Sequence, residues 1–341
     1  KIVRQVNISF FKLTSCEIAL RCLHTELKLQ FHVTRSIFFC EKFMKSNIQE
    51  IKTAMRGWSI EITPTVGKRI SDFRQVLPLG TTVNVASVPG TAFEDVFSVV
   101  RQLSQQDMNP VPHITARGIS STKKLSEMVE RFREVNVSEI LVIAGGYKEP
   151  LGEFESSIEL IECGIFADYG IKRLGVAGHP EGSPDIDDAA LQNALDKKNE
   201  LARSGCYDIY LETQFCFDSD AIVAWEKRIR DQGNQLPIRI GLAGPAKLKT
   251  LIHFALISGV GPSLQFLKKQ AKNVTKLLMV QDPSELIDSL APHLDPSSPS
   301  RLESIHLYPF GGFEETGSYG HQLAQGHISS AKRGFAVLED C

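Results

Sequence analysis

The sequence predicts a (β/α)8 TIM barrel of the α/β class, and three observations carry that expectation. From Trp58 onward, short β-branched runs alternate with longer amphipathic segments, the pattern of a parallel sheet clad in helices. The strand-like runs number eight, the number that closes a barrel. No GxGxxG follows the first of them, where an open doubly wound sheet would carry its phosphate-binding turn, and Thr65-Val66-Gly67-Lys68 is no substitute.

Taken in order, the strands are expected at Trp58 to Thr63, Thr82 to Ser87, Pro110 to Thr115, Glu139 to Ala144, Arg173 to Gly178, Asp208 to Thr213, Ile238 to Gly241 and Ser304 to Tyr308. Helical spacing of apolar residues, often behind a Ser, Thr or Asp cap, predicts helices over Glu94 to Gln105, Ser121 to Val135, Ser156 to Tyr169, Asp187 to Ser204 and Ser219 to Gln232. Pro245 to about Leu290 is too long for one connecting helix and is expected to hold more than one. It ends at the loop Asp295 to Ser300.

Composition narrows the partners. A formal charge of -2 leaves no global field to gather nucleic acid or an anionic membrane, so the expected partner is a small molecule. Charges interrupt every apolar stretch before the roughly 20 residues that span a bilayer. The seven cysteines, at 16, 22, 40, 163, 206, 216 and 341, form no CxxC pair and no metal-ligand spacing; free thiols, a reducing, cytoplasmic setting and no metal are expected.

Residues 1–43 read differently from the rest. They hold three of the seven cysteines and have no clean period, and the first methionine is Met44, just before a plausible helix start at Ser46. The expectation is a non-native or disordered extension over 1–43 and a single barrel domain over 44–341. A transit peptide is the rival reading, weakened by Glu17, Glu26 and Glu41.

In such barrels chemistry sits at the C-terminal ends of the strands. Glu61 is flanked by Ile60 and Ile62, so it points opposite to them and into the mouth, where burial would raise its pKa toward that of a general acid. A structural ion pair is the plainer alternative. His113 and Thr115 close the third strand, Ala144-Gly145-Gly146 follows the fourth, and His179-Pro180-Glu181 follows the fifth. His113 could be a satisfied interior histidine, and the glycines a tight turn. Gln214 ends the sixth strand with a donor and an acceptor suited to a heterocyclic amide edge, though such glutamines also tie down loops. Gly241 to Gly244 and Pro309-Phe310-Gly311-Gly312 close the last two strands.

The strand ends WSIEITP (58–64), VNVASVPG (83–90), VPHITARG (111–118), ILVIAGG (140–146), GVAGHPEG (175–182), ETQFCFD (212–218) and IHLYPF (305–310) together resemble those of the methylenetetrahydrofolate reductase family. The resemblance covers Trp58 to His327. It implies an oxidoreductase of one-carbon metabolism that binds FAD, takes hydride from NAD(P)H, and interconverts methylene- and 5-methyltetrahydrofolate, a step toward methionine biosynthesis. It implies Glu61 as the general acid, and Gln214, Glu181 and Phe310 as substrate contacts. His113, Thr115, Ala144, Gly145, Gly146, Ala177 and His179 fall where the family contacts its flavin, and a homo-oligomer is implied as well.

Three positions depart from the family pattern. An acidic residue after the fourth strand is replaced by Gly146, a histidine after the fifth by Ser183, and a helix lysine by Leu201, with Lys197 and Lys198 one turn earlier as replacements. Weaker flavin binding is the expectation, with Glu181 as the group to take over the missing acid's role. The alternatives are a flavin-independent or deazaflavin-using variant, and a non-redox folate-binding or methyltransferase-type barrel.

Overall fold

The computed structural model describes residues 46–271, 277–331 and 334–338; the expectation for 1–43, and Met44 with it, lies outside them. Eight parallel strands close a barrel: β1 (Ser59–Ile62), β2 (Thr82–Val85), β3 (Asn109–Thr115), β4 (Glu139–Ile143), β5 (Arg173–Gly178), β6 (Asp208–Thr213), β7 (Ile238–Ala243) and β8 (Leu302–Tyr308). Each pairs with its sequence neighbours, and β8 returns to β1 through Ser59↔His306 and Ile60↔Leu307. All eight expected strands form, and β7 runs two residues further than the sequence suggests.

Alternation within each strand divides the barrel wall into two faces. Ile60, Val83, Val85, Ile140, Val142, Leu174, Val176, Ile238, Ile240, Leu242, Ile305 and Leu307 are buried to 0% exposure on the outer face, under the helices. The inner face is polar instead, carrying Asn84, His113, Tyr210, Glu212, Arg239 and His306. The usual parallel strand is apolar on both sides; here polar lumen residues produce a period of two on β1, β2, β6 and β8, whereas β3 and β4 turn Val111 and Leu141 inward.

Helix α1 (Ile48–Ala54) precedes β1 behind an Asn47–Glu50 capping box. After the short α2 (Pro64–Gly67), α3 (Phe93–Gln105) has no side-chain cap at Ala92. It buries Val96, Phe97, Val99, Val100 and Leu103. At roughly 1.5–3 kcal/mol per buried side chain, that stripe outweighs the ~1 kcal/mol of a missing cap. α4 (Thr122–Glu134) starts at Ser121. The expected helix from Ser156 to Tyr169 is two, α5 (Ser157–Glu162) and α6 (Ile165–Asp168), because Gly164 adopts φ 81° between them. α7 (Asp188–Arg203) and α8 (Ser219–Asp231) are capped by Asp187 and Asp218.

Between β7 and β8 the chain forms an insertion. Ala246–Lys247 pairs antiparallel with Val280–Gln281, and α9 (Leu248–Ile257), α10 (Gly261–Gln270) and α11 (Ser284–Leu290) make up its helices among the described residues. Two of them share a small core of their own, in which Leu248, Leu251, Ala255, Val260 and Leu267 meet Phe215 and Phe217 from the loop after β6. α12 (Phe313–Gln325) closes the barrel, and the hairpin Ile328–Ser330/Phe335–Val337 follows. No helix among the described residues is long and apolar enough to cross a membrane.

Candidate active site

Glu61 stands at the C-terminal end of β1 with 23% of its side chain exposed, its Oε2 3.8 Å from His113 Nε2. That proximity does not make an ion pair. Burial, and secondarily the carboxylate of Glu212, push Glu61 up to about 8, while burial drives His113 down to about 3. At neutral pH both are therefore uncharged. His113 Nε2 has no partner in the structure although it is buried, an unmet polar atom turned toward the acid.

Thr115, two residues beyond His113 on the same face, packs against the loop after β4. A Cβ at Gly145 would lie 2.6 Å from Thr115 Cβ, and Gly145 holds φ 88°. Both facts demand glycine there. Arg117, which the sequence did not single out, braces this loop: its Nη1 donates to Tyr147 O at 3.1 Å and its backbone N to Ala144 O at 3.0 Å. Gly146 is exposed beside them. Gly145→Ala is expected to destabilise the fold by roughly 1–3 kcal/mol, from positive φ together with the clash; equal thermal midpoints for variant and wild type would remove this constraint.

At the end of β5, Ala177 and His179 border a cavity of about 280 Å³ that also meets Lys198, Arg228 and Asp188. Lys198 is buried, and its Nζ donates to Ala177 O at 2.8 Å; burial lowers it to about 8. His179 is lowered to about 4, by burial and then by Lys198. Lys198 thus stands at the strand end although Leu201 occupies the family's lysine position, and Arg228 adds a second cation that sequence reasoning passed over. A larger cavity, about 390 Å³, lies at the other end of the barrel around Trp58 and His321, the end where these folds carry stability rather than chemistry.

All three expected substrate contacts are already engaged. Both carboxylate oxygens of Glu181 accept hydrogen bonds at the start of α10: Oε1 from Ser263 Oγ at 2.6 Å and Cys216 Sγ at 3.1 Å, Oε2 from Ser263 N at 3.1 Å. Phe310 holds the unusual φ of 48°, with its ring stacked on Phe254 at 4.3 Å and edge-on to Phe215 at 4.9 Å. Gln214 donates from its backbone to Gly178 O and turns its Oε1 to Phe215 N at 3.1 Å. Glu181 therefore ties the insertion to the mouth, and the Phe254–Phe310 pair forms an aromatic wall there.

Beneath the mouth runs a network absent from the sequence expectations. Asn84 Nδ2 donates to Glu212 Oε1 at 2.5 Å; Arg239 Nη1 donates to Glu212 Oε2 at 3.3 Å and to Glu139 Oε1 and Tyr210 Oη at 3.1 Å each. Tyr210 Oη donates to Glu139 Oε1 at 2.6 Å, and Ser59 Oγ bonds His306 Nδ1 at 2.8 Å. Asn84, Tyr210, Arg239 and His306 lie between apolar neighbours on their strands, the same signal that identified Glu61, whereas Glu139 and Glu212 have one apolar neighbour each.

The family model for methylenetetrahydrofolate reductase matches residues 60–261, more than half of the chain. Among solved structures, the chain resembles a protein from Clostridium thermocellum described as binding two copies of 5-methyl-5,6,7,8-tetrahydrofolic acid. Identity is 12%, the TM-score is 0.52, and the match covers 78% of this chain and 93% of that one. Dihydropteroate synthase from Thermus thermophilus matches at 11% identity with a TM-score of 0.40, over 77% of this chain and 91% of that one. At such identities the first of these likenesses speaks for the barrel alone.

Proposed function

Because the chain belongs to the methylenetetrahydrofolate reductase family, we propose that it interconverts 5,10-methylenetetrahydrofolate and 5-methyltetrahydrofolate with Glu61 as general acid. The observation that carries this reading is a carboxyl group at the barrel mouth that burial keeps protonated at neutral pH. A group that only anchored a ligand would have no use for a proton it can give away. Protonation by Glu61 of a nitrogen in the five-membered ring of the substrate opens that ring, and the electrophilic carbon that results is the hydride acceptor. Phe254 and Phe310 offer a flat apolar wall suited to a pterin, and Gln214 a carboxamide for its amide edge.

The chain's residues fit a flavin. Gly145 lets backbone approach without a Cβ, His113 Nε2 is unpaired, and Lys198 and Arg228, which border the cavity at the end of β5, would offer cations to an anionic tail. FAD, when bound, would relay hydride from NAD(P)H to the folate. Lys198 would compensate for Leu201, and the acid lost at Gly146 is not replaced by Glu181, whose oxygens Ser263 and Cys216 occupy. A variant that works without flavin is the second reading, and it rests on that missing acid.

The deciding experiment is the absorption spectrum of the purified protein and of the supernatant after denaturation, followed by NAD(P)H oxidation with methylenetetrahydrofolate. Released flavin with folate-dependent oxidation is the expected result. Oxidation without flavin selects the second reading, and 5-methyltetrahydrofolate binding without oxidation in either direction sinks both.

A further inference from the structure

Below Glu61 the barrel holds a second acid to which the proposed reaction gives no task. Glu212 has a side-chain exposure of 1%. Asn84, the register partner of Glu61 on β2, is the residue that donates to it at 2.5 Å. The counter-ion is shared: the same Nη1 of Arg239 also serves Glu139 and Tyr210, with Arg173 as the second cation on Glu139. His113 from β3 and Tyr308 from β8 face Glu61, while Arg239 from β7 and His306 from β8 stand against Glu212 on β6, at 3.3 and 3.8 Å from its Oε2. Both histidines are held neutral by burial. Among the described residues no lysine or arginine forms an ion pair with Glu61.

We propose that Glu212 is a positioning residue for Glu61: its charge, fixed beneath the acid by Asn84 and Arg239, keeps the proton on Glu61 until the substrate nitrogen takes it. The proposal rests on the reading of Glu61 as proton donor. In that step the O–H bond of Glu61 breaks, an N–H bond forms on the substrate, and Glu61 is left as a carboxylate above Glu212. Two like charges in one poorly solvated site favour prompt recapture of a proton, which Glu61 can draw from solvent through its exposed edge. The pair titrates as a unit, with macroscopic steps that belong to both acids.

The test is an NMR titration of the full chain carrying ¹³Cδ-labelled glutamate, with E61Q and E212Q assigning the two resonances. E212Q keeps an oxygen for Arg239 and offers its NH2 to Asn84 Oδ1, which has no partner, once that amide flips; it deletes the charge and is expected to lower the Glu61 midpoint by about one unit or more. E61Q is expected to lower the Glu212 midpoint by a matching amount, because the coupling is mutual. An unchanged Glu61 midpoint in folded E212Q overturns the proposal. If E212Q does not fold, the rim substitution E61Q decides alone, and an unmoved Glu212 midpoint there overturns it equally. The readout needs no turnover, so mutual shifts in a chain without reductase activity support the pair and count against the reaction instead. With turnover in hand, E212Q should move the alkaline limb of kcat to lower pH and leave KM nearly unchanged, a split that loss of packing alone would not produce.

Discussion

Glu61→Gln is expected to reduce folate-dependent turnover by about 10²-fold or more, some 2.7 kcal/mol of transition-state stabilisation, while leaving folate affinity within a few-fold of wild type. Glutamine preserves shape and hydrogen bonding at the rim but has no proton to give. The wild-type profile should fall as pH rises through about 8, where Glu61 loses its proton, and the residual activity of the variant should lack that limb. Stability moves the other way. A carboxyl whose folded pKa lies above its unfolded value holds more protons in the native state, so its contribution is fully present below about 4.5 and is lost as pH rises toward 8. Glu61→Gln should therefore be the more stable protein at alkaline pH, as measured by urea denaturation. A variant that keeps full turnover would take Glu61 out of the chemistry.

Arg239→Met is expected to cost about 3–5 kcal/mol of folding stability near neutral pH, because it strips the counter-ion from the buried Glu212, whereas Glu139 keeps Arg173 at 3.2 Å. The sign with pH is fixed by Glu212, whose pKa burial already raises. Below its unfolded value the carboxyl is protonated in both states and the missing cation matters least; the loss grows as pH rises through the folded value. Adding Glu212→Gln to Arg239→Met should recover part of the deficit, since the stranded charge is then gone. Denaturation curves of the three proteins at acid and neutral pH check this. A single variant as stable as wild type at pH 8 would show that Arg239 is not the counter-ion of the lumen.

The strands were legible because the lumen is polar. With Ile60, Glu61 and Ile62, or Tyr210, Leu211 and Glu212, alternating at period two, each strand announces its outer face. Helix α12 escaped notice for the opposite reason. Gly317 and Gly320 weaken its helical signal, yet each is required: a Cβ at Gly320 would sit 2.6 Å from the Trp58 ring, and one at Gly317 2.9 Å from Leu77. Flanking isoleucines mark Glu61; Arg239 and His306 carry the same local signature, and Glu212, with Thr213 after it, only half of it. What separates them from ordinary strand residues is convergence across four strands, and no single strand contains that information. Glu181 shows the converse. Its motif pointed at substrate, but Ser263, 82 residues away, claims its carboxylate.

That carboxylate joins two parts that need not melt together. The insertion rests on its own small cluster around Leu251 and Leu267, separate from the main core, and Glu181 meets α10 in two hydrogen bonds, both from Ser263. Amide hydrogen exchange should thus resolve two cooperative units, with α9 and α10 exchanging through a sub-global opening of lower free energy than β5 and β6. Since Phe254 of α9 stacks on Phe310 at the mouth, each such opening would dismantle the aromatic wall while the barrel stays folded, and a bound pterin should slow exchange in the insertion far more than in the strands.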